Sequence, residues 1–210
     1  MLPRLHVITD DAVLARNDVG DVACGIVEAI GRDVALHVRG RSTDARQLFE
    51  LAKMLRPVAR QCGALLVVND RVDIALAADA DAVQLSARSL PPAAVRQIAR
   101  PEMLIGWSAH TIEDVQHARA QGASFALLGT IWPSPSHPGG PVGGTQLIRS
   151  AAGAELPLIA IGGVKQGRIA EAIDAGAFGV AVISAVWNAA DPVRSARSLV
   201  QEVHSNVKDE

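Results

Sequence analysis

Two adjacent glycines, Gly162 and Gly163, end a short apolar run and precede a segment of helical pattern. Glycine has no side chain to keep an anion away from backbone N–H groups, and the start of a helix attracts negative charge. Ile183 and Ser184 stand in a comparable place, after another apolar run. These positions predict a phosphate-binding site, although a tight turn that requires glycine explains the first pair equally well.

Other apolar runs also end in side chains that bind anions or transfer protons. Arginine offers a planar guanidinium that suits carboxylates and phosphates, and histidine is a common acid–base group near neutral pH. For Arg39 the alternative is an ion pair with Asp10 or Asp70, and for Asp70 a helix cap or such an ion pair is favoured over a role as a metal ligand. The candidates at the run ends are Arg39, Arg41, Asn69, Asp70, Ser108, His110, Thr130, Ser134, Ser136 and His137.

The apolar runs themselves number eight, and each is bounded by polar residues or glycine, as buried strands are. They cover residues 5–8, 34–38, 64–68, 82–85, 103–106, 123–128, 157–161 and 179–183. Segments of helical spacing lie between them, for example residues 44–62 and 112–121. Strict alternation favours a parallel sheet, and eight units in about this length favour a single (β/α)₈ barrel domain over residues 1–210. A doubly wound sheet is the alternative, but no Gly-x-Gly-x-x-Gly follows the first run.

Composition narrows the class of protein. The formal net charge is −2 and basic residues are not clustered, so neither nucleic acid nor a membrane is an expected partner. No apolar run approaches the roughly 18 residues of a membrane span, and no leader pattern precedes the first run, which favours a cytoplasmic protein. Cys24 and Cys62 lack metal-site spacing and are expected to be reduced thiols. Oligomeric state stays open, with a homodimer as one option.

Several motifs, taken in order, resemble the superfamily of thiamine phosphate synthase and the thiazole tautomerase TenI. They are LHVITDD, LHVRGRS, VNDRVDIALAADADAVQLS, GWSAHT, LLGTIWPSPSHPGGPVGG, LIAIGGV and GVAVISAVW, and they run nearly end to end. The resemblance implies a barrel. It also implies that Gly162, Gly163, Ile183 and Ser184 hold a thiazole phosphate, so that a small-molecule thiazole phosphate is the expected ligand.

The two branches of this superfamily differ in chemistry. The resemblance implies that the synthase joins a pyrimidine pyrophosphate to a thiazole phosphate with Mg²⁺, using a Gln-x-Arg-x-Lys strand end, an Asn-Asp pair, a second Asp and a Lys in the sixth loop. Here those Gln, Lys, second Asp and sixth-loop Lys positions hold His37, Arg41, Ser89 and His137. These departures favour the tautomerase, an isomerase that needs no metal or other cofactor. The alternatives are the Mg²⁺-dependent synthase and a non-catalytic protein that binds thiazole phosphate.

The tautomerase interpretation requires an acid–base group. Thr130 stands where the resemblance implies a catalytic histidine, so His137 and His110 are the expected substitutes, with Arg39 as a further catalytic residue. The remaining polar residues at the strand ends are expected to bind substrate or phosphate, namely Arg39, Arg41, Asn69, Asp70, Ser108, Thr130, Ser134 and Ser136. No metal ligands are expected.

Overall fold

The structure is a computed structural model that describes residues 1–134 and 139–207. Eight parallel strands close into a barrel in chain order, and β8 pairs back onto β1 with Val180 opposite Leu5. The predicted barrel fold is therefore confirmed, whereas its extent as one domain over residues 1–210 stays a prediction. The strands are β1 (Leu5–Ile8), β2 (Val34–Val38), β3 (Leu65–Asn69), β4 (Ala82–Leu85), β5 (Leu104–Ala109), β6 (Phe125–Leu128), β7 (Leu158–Ile161) and β8 (Gly179–Val182).

Helices follow the strands and cover the outside of the barrel. They are α1 (Asp11–Leu14), α2 (Val19–Ile30), α3 (Ala45–Cys62), α4 (Val72–Ala77), α5 (Pro92–Ile98), α6 (Ile112–Ala120), α7 (Gly144–Ala151), α8 (Ile169–Asp174), α9 (Ser184–Trp187) and α10 (Pro192–Asn206), with 3₁₀ turns at Gly31–Asp33 and Ala152–Ala154. Local signals set several of their ends. Asp44 caps α3 through the N–H of Gln47, and Thr111 and Asp114 form a capping box on α6.

The strands are buried on both faces, which explains why they read as continuous aliphatic runs. Residues of one parity pack outward against the helices and belong to the large core cluster, for example Val7, Leu36 and Val83. Residues of the other parity point into the barrel. Among the described residues, both cysteines carry free thiols, as expected.

The fifth strand is longer than the sequence predicts. Its apolar run ends at Gly106, but the ladder with β6 continues through Ser108 and Ala109, which pair with Leu127 and Leu128. Because side chains alternate along a strand, this extension turns Ser108 inward. In the described part of the chain, no helix is long and apolar enough to cross a membrane.

Candidate active site

The interior of the barrel is chemically divided. Strands β1 to β5 contribute polar side chains, and they are His6, His37, Asn69, Gln84 and Ser108. The other side is a compact apolar cluster, and it comprises Ile8, Phe125, Leu127, Ile159 and Ala181. Buried polar groups need partners, so the polar side must be hydrogen-bonded internally or open to the mouth of the barrel.

Three of the polar side chains form a chain of contacts across β1, β2 and β3. His6 Nδ1 lies 2.8 Å from His37 Nε2, and His37 Nδ1 lies 3.0 Å from the Asn69 amide. His6 Nε2 lies 3.1 Å from the carbonyl oxygen of Pro3. Both histidines are fully buried. Burial lowers the pKa of His37 to about 4, with the nearby Arg39 charge adding to the effect, and lowers the pKa of His6 well below its ordinary value.

Gln84 continues the polar side on β4. Its Nε2 donates to Ser108 Oγ at 3.1 Å, while its Oε1 is buried without a partner among the described residues. Space for this side chain exists because Gly106 lies opposite it: a Cβ there would collide with Gln84 Oε1 and with the Phe125 ring. Gly106 thus lies where the polar and apolar sides of the interior meet.

Arg39 lies at the mouth, directly after β2. Its backbone is fixed by Thr9, which accepts from the Arg39 N–H at 2.8 Å and donates to the Arg39 carbonyl at 2.9 Å. The guanidinium is partly buried, and no described residue accepts a hydrogen bond from it or lies within ion-pair distance. Burial and the charge of Arg41 lower the pKa of Arg39, while Asp70, Asp10 and Asp11 act in the opposite direction. A desolvated cation without a contact partner is a strong binding group for an anion.

The loop that carries Arg41 is held by a single carboxylate. Asp11 accepts from the backbone N–H groups of Arg41, Ser42 and Thr43 at 2.8–3.0 Å, and also from the Thr43 hydroxyl. Desolvation alone would raise the pKa of Asp11, but these hydrogen bonds outweigh it and lower the pKa to about 2. Asp11 therefore stays ionised and fixes this loop beside the mouth. The sequence gives no local signal for this contact, which spans about 30 residues.

Asp70 is exposed at the end of β3, in a left-handed backbone conformation with φ of 61°. Its Oδ1 accepts from the hydroxyls of Ser86 and Ser89, each at 2.6 Å. The helix-cap interpretation is wrong, because Arg71 occupies the N-cap position of α4 without a side-chain cap. A direct ion pair with Arg39 is absent among the described contacts. Ser89, which replaces the expected second carboxylate, holds Asp70 in place instead.

The two glycines after β7 have a steric role that the structure makes explicit. Gly162 and Gly163 have φ of 98° and 63°, a region that favours glycine. A Cβ on Gly162 would lie 2.5 Å from Thr130 Cγ2, and one on Gly163 would lie 2.5 Å from the Pro133 carbonyl oxygen. The side-chain space is therefore filled by the loop after β6. Backbone N–H donors remain the only means by which these glycines could bind phosphate.

That loop is fastened to the one after β7. Ile131 N–H donates to Ile161 O at 2.9 Å, and Trp132 N–H donates to Gly162 O at 3.0 Å. Arg168 donates to Gly163 O at 2.7 Å and lies over the Trp132 ring. The two loops behave as one packed unit, which explains why the chain needs two glycines at this point.

The remaining predicted residues lie in different settings. Ile183 packs on the apolar interior cluster, and Ser184 begins α9, so its N–H has no partner within the helix. His110 is exposed and its Nδ1 contacts the Gly129 carbonyl, so it helps to fix the end of β6. The backbone carbonyl oxygen of Thr130 accepts from Gly143 N–H at 2.9 Å, and Ser134 is partly buried. Ser136 and His137 lie outside the described residues.

Within residues 1–134 and 139–207, no three His, Cys, Asp or Glu side chains form a cluster suited to a metal ion. Divalent magnesium, however, is commonly held by one or two carboxylates together with substrate phosphates. Asp70 supplies one exposed carboxylate, and its Oδ2 accepts no hydrogen bond from a described residue. This donor set fits Mg²⁺ only when a phosphorylated substrate completes the coordination shell.

Known proteins are similar to this chain over nearly its whole length. A profile of the family described as thiamine monophosphate synthase matches residues 5–186. The chain belongs to this family. The thiamine-phosphate synthase of Chlorobium luteolum is 42% identical over 200 residues, which cover 94% of this chain and 92% of that one. The enzyme of the same name from Roseiflexus castenholzii is 38% identical over 197 residues, covering 93% and 86%.

A solved structure agrees with these relatives. Thiamine phosphate pyrophosphorylase from Pyrococcus furiosus superposes with a TM-score of 0.81 at 32% identity, covering 95% of this chain and 96% of that one. A 3-hexulose-6-phosphate synthase superposes with a TM-score of 0.68 at 19% identity, covering 95% and 99%, and shares the fold.

The tautomerase interpretation is therefore wrong, and so is the expected isomerase activity. The superfamily is as expected, but the relatives named above are synthases and belong to the other branch. The structure explains why the residue types at positions 41 and 89 wrongly favoured the tautomerase. Arg41 keeps the positive charge of the expected lysine, and Ser89 keeps contact with Asp70 through its hydroxyl. The residue types at these two positions therefore do not exclude a synthase.

Proposed function

We propose that this protein is a thiamine-phosphate synthase, a transferase that joins hydroxymethylpyrimidine pyrophosphate to thiazole phosphate and releases pyrophosphate. The observation that carries the proposal is the partly buried Arg39 guanidinium, which has no contact partner among the described residues and lies on the same mouth as Asp70. A cation in this setting suits a substrate with several negative charges. The family relatives named above add support along nearly the whole chain.

In this proposal Arg39 and Arg41 bind the pyrophosphate group. The reaction forms a bond between the thiazole nitrogen, which supplies the electron pair, and the methylene carbon of the pyrimidine. The bond between that carbon and the pyrophosphate oxygen breaks, and its electron pair leaves with pyrophosphate. Charge therefore accumulates on the departing group, and fixed guanidinium groups stabilise it in the transition state.

Magnesium belongs to the same proposal. Asp70 would hold it through the carboxylate that Ser86 and Ser89 orient, with substrate phosphate oxygens as further ligands. When bound, the ion would neutralise part of the pyrophosphate charge. The serine hydroxyls fix one carboxylate oxygen and leave the other free for this role.

The thiazole phosphate is proposed to bind on the opposite side of the mouth. Gly162 and Gly163 provide backbone N–H groups there, and Ser184 begins α9 directly after its N-cap residue, Ile183. Asn69 and Ser108 line the polar side of the interior, where the pyrimidine would lie.

The test is direct. The purified protein is incubated with both substrates and Mg²⁺, and thiamine phosphate is measured by fluorescence after oxidation to thiochrome phosphate. The proposal expects product that depends on both substrates and is lost with EDTA. Absence of product while both substrates bind would contradict it.

A matched pair of variants assigns the metal role. Asp70→Asn should reduce turnover strongly and raise the Mg²⁺ concentration needed for half-maximal rate. Asp73→Asn is the control, because Asp73 is an exposed carboxylate three residues away that pairs only with Arg71 among the described residues. Equal effects of the two substitutions would exclude Asp70 as the magnesium ligand.

A further inference from the structure

The buried chain from Pro3 to Asn69 has only one consistent arrangement of protons when both histidines are neutral. The carbonyl oxygen of Pro3 can only accept, so His6 Nε2, 3.1 Å away, must carry a proton. A neutral imidazole has one N–H, which leaves His6 Nδ1 as an acceptor. His37 Nε2, at 2.8 Å from it, must therefore be the donor.

The same logic then fixes Asn69. With its proton on Nε2, neutral His37 presents Nδ1 as an acceptor, and the amide atom 3.0 Å from it must be a donor. The atom at that position is assigned as Oδ1, but amide oxygen and nitrogen are distinguished only by their hydrogen bonds. The amide is therefore turned, with Nδ2 donating to His37 and Oδ1 in the other position.

That other amide position opens toward the mouth. The atom there makes no hydrogen bond with a described residue. It is also not among the fully buried polar atoms that lack a partner, and it is therefore accessible to solvent. Asn69 as a whole is 8% exposed at the end of β3. Complete burial is the largest effect on the pKa of His37, and together with the neighbouring Arg39 charge it outweighs the opposing effect of the Asn69 contact, which supports the neutral arrangement.

We propose that His6 and His37 are positioning residues that lock the Asn69 amide with its N–H group directed into the barrel and its carbonyl oxygen directed at the mouth. Asn69 then acts as a hydrogen-bond acceptor and selects a substrate that offers an N–H donor, such as an amino group on a heterocyclic ring. This inference rests on the proposed function only for the identity of that substrate, the pyrimidine. The three N–H donors, on Asn69, His37 and His6, then all point from the mouth toward Pro3.

The first experiment reads the protons without any substrate. Nitrogen-15 NMR of histidine-labelled protein near neutral pH distinguishes the two neutral tautomers from the doubly protonated ring. We expect two buried rings, each with its proton on Nε2, assigned to His6 and His37 through their variants. A doubly protonated His37, or one with its proton on Nδ1, would overturn the proposal whether or not the protein is a synthase.

The second experiment uses a matched pair at His6. In His6→Gln, the side-chain oxygen can accept from His37 and its NH₂ can donate to Pro3, which preserves the chain. In His6→Leu the volume is similar but the acceptor for His37 is lost. We expect His6→Leu to raise the KM for the pyrimidine pyrophosphate by about 10-fold with little change in kcat, because one directed hydrogen bond is lost. His6→Gln should lie near the wild type.

Folding is checked separately, since a core substitution can simply destabilise the barrel. Circular dichroism and the melting temperature should show both variants folded at the assay temperature. If His6→Leu is folded and leaves both the KM and the His37 nitrogen signals unchanged, the histidine pair does not position Asn69. An increase in the KM for the thiazole phosphate alone would also contradict the assignment.

Discussion

The two sides of the barrel interior show two different ways of filling the same space. From β6 to β8 the inward residues are Phe125, Leu127, Ile159 and Ala181, which need only complementary volume. On the other side His6, His37 and Asn69 are buried just as deeply but must satisfy directed hydrogen bonds. The comparison teaches that the polar side is under a stricter geometric constraint. Substitutions there should affect chemistry and pH response, whereas apolar substitutions should affect stability alone.

The largest expected effect is on the polar side, at Arg39. Arg39→Gln should lower kcat/KM for thiamine phosphate formation by about 10²–10³, because a fixed donor to developing charge is lost. Steady-state kinetics with both substrates measures this. Arg46→Gln, an exposed arginine on α3, is the control and should leave the rate near that of the wild type. A loss of less than 10-fold for Arg39→Gln would mean that the polar mouth is not where charge develops.

The next effect concerns pH and His37. Its pKa is lowered to about 4 in the folded protein, so between about pH 6.5 and 4 the unfolded chain binds a proton that the folded one does not. Stability is fully present above about pH 6.5 and falls as the pH drops toward 4. Each unit of pKa shift corresponds to ~1.4 kcal/mol, so the free energy of unfolding falls by about 3 kcal/mol over this range of pH. His6 acts in the same direction.

Urea unfolding at several pH values tests this claim. His37→Gln should flatten the dependence of the free energy of unfolding on pH in that window, while His117→Gln, at an exposed position, should not. If the wild type and His37→Gln lose stability in parallel, His37 does not carry the effect.

A smaller effect is expected where the two sides meet. Gly106→Ala places a methyl group against Gln84 Oε1 and the Phe125 ring, and overpacking of this kind costs about 1–3 kcal/mol. Thermal or urea unfolding measures the cost. Gly153→Ala is the matched control, because a Cβ at Gly153 meets no atom within 4 Å. Equal stability of the two variants would show that the interior at Gly106 is loosely packed.

The smallest effect is expected on the apolar side. Ile159→Val removes one methylene from a fully buried residue and should cost about 0.5–1.5 kcal/mol. Its kcat and both KM values should match those of the wild type at a temperature where both are folded. A change in kinetics larger than the change in stability would remove the proposed distinction between the two sides.

Much of the fold could be predicted from the sequence because its signals are local. Short aliphatic runs such as residues 157–161 mark strands buried on both faces, and Thr111 with Asp114 marks the start of a helix. Of the site, Arg39, Asn69 and Asp70 could be named because each directly follows or ends a strand. Their partners could not be named, and this is why the choice between the two branches of the family failed. The residue types at positions 37 and 89 do not by themselves reveal that His37 contacts Asn69 and that Ser89 donates to Asp70.

The sequence by itself determined the alternation of strands and helices, the barrel, and the positions at which polar groups emerge, because periodicity and capping act over a few residues. Tertiary structure decided which of those groups meet. Closure of the barrel brings Ser86 and Ser89 onto Asp70, and His6 onto His37 across a separation of 31 residues. It also packs the loop after β6 into the space beside Gly162 and Gly163, so a feature that resembled an anion site in the sequence serves first as a packing contact. Strand register and loop packing depend on the whole barrel, and no local pattern specifies them.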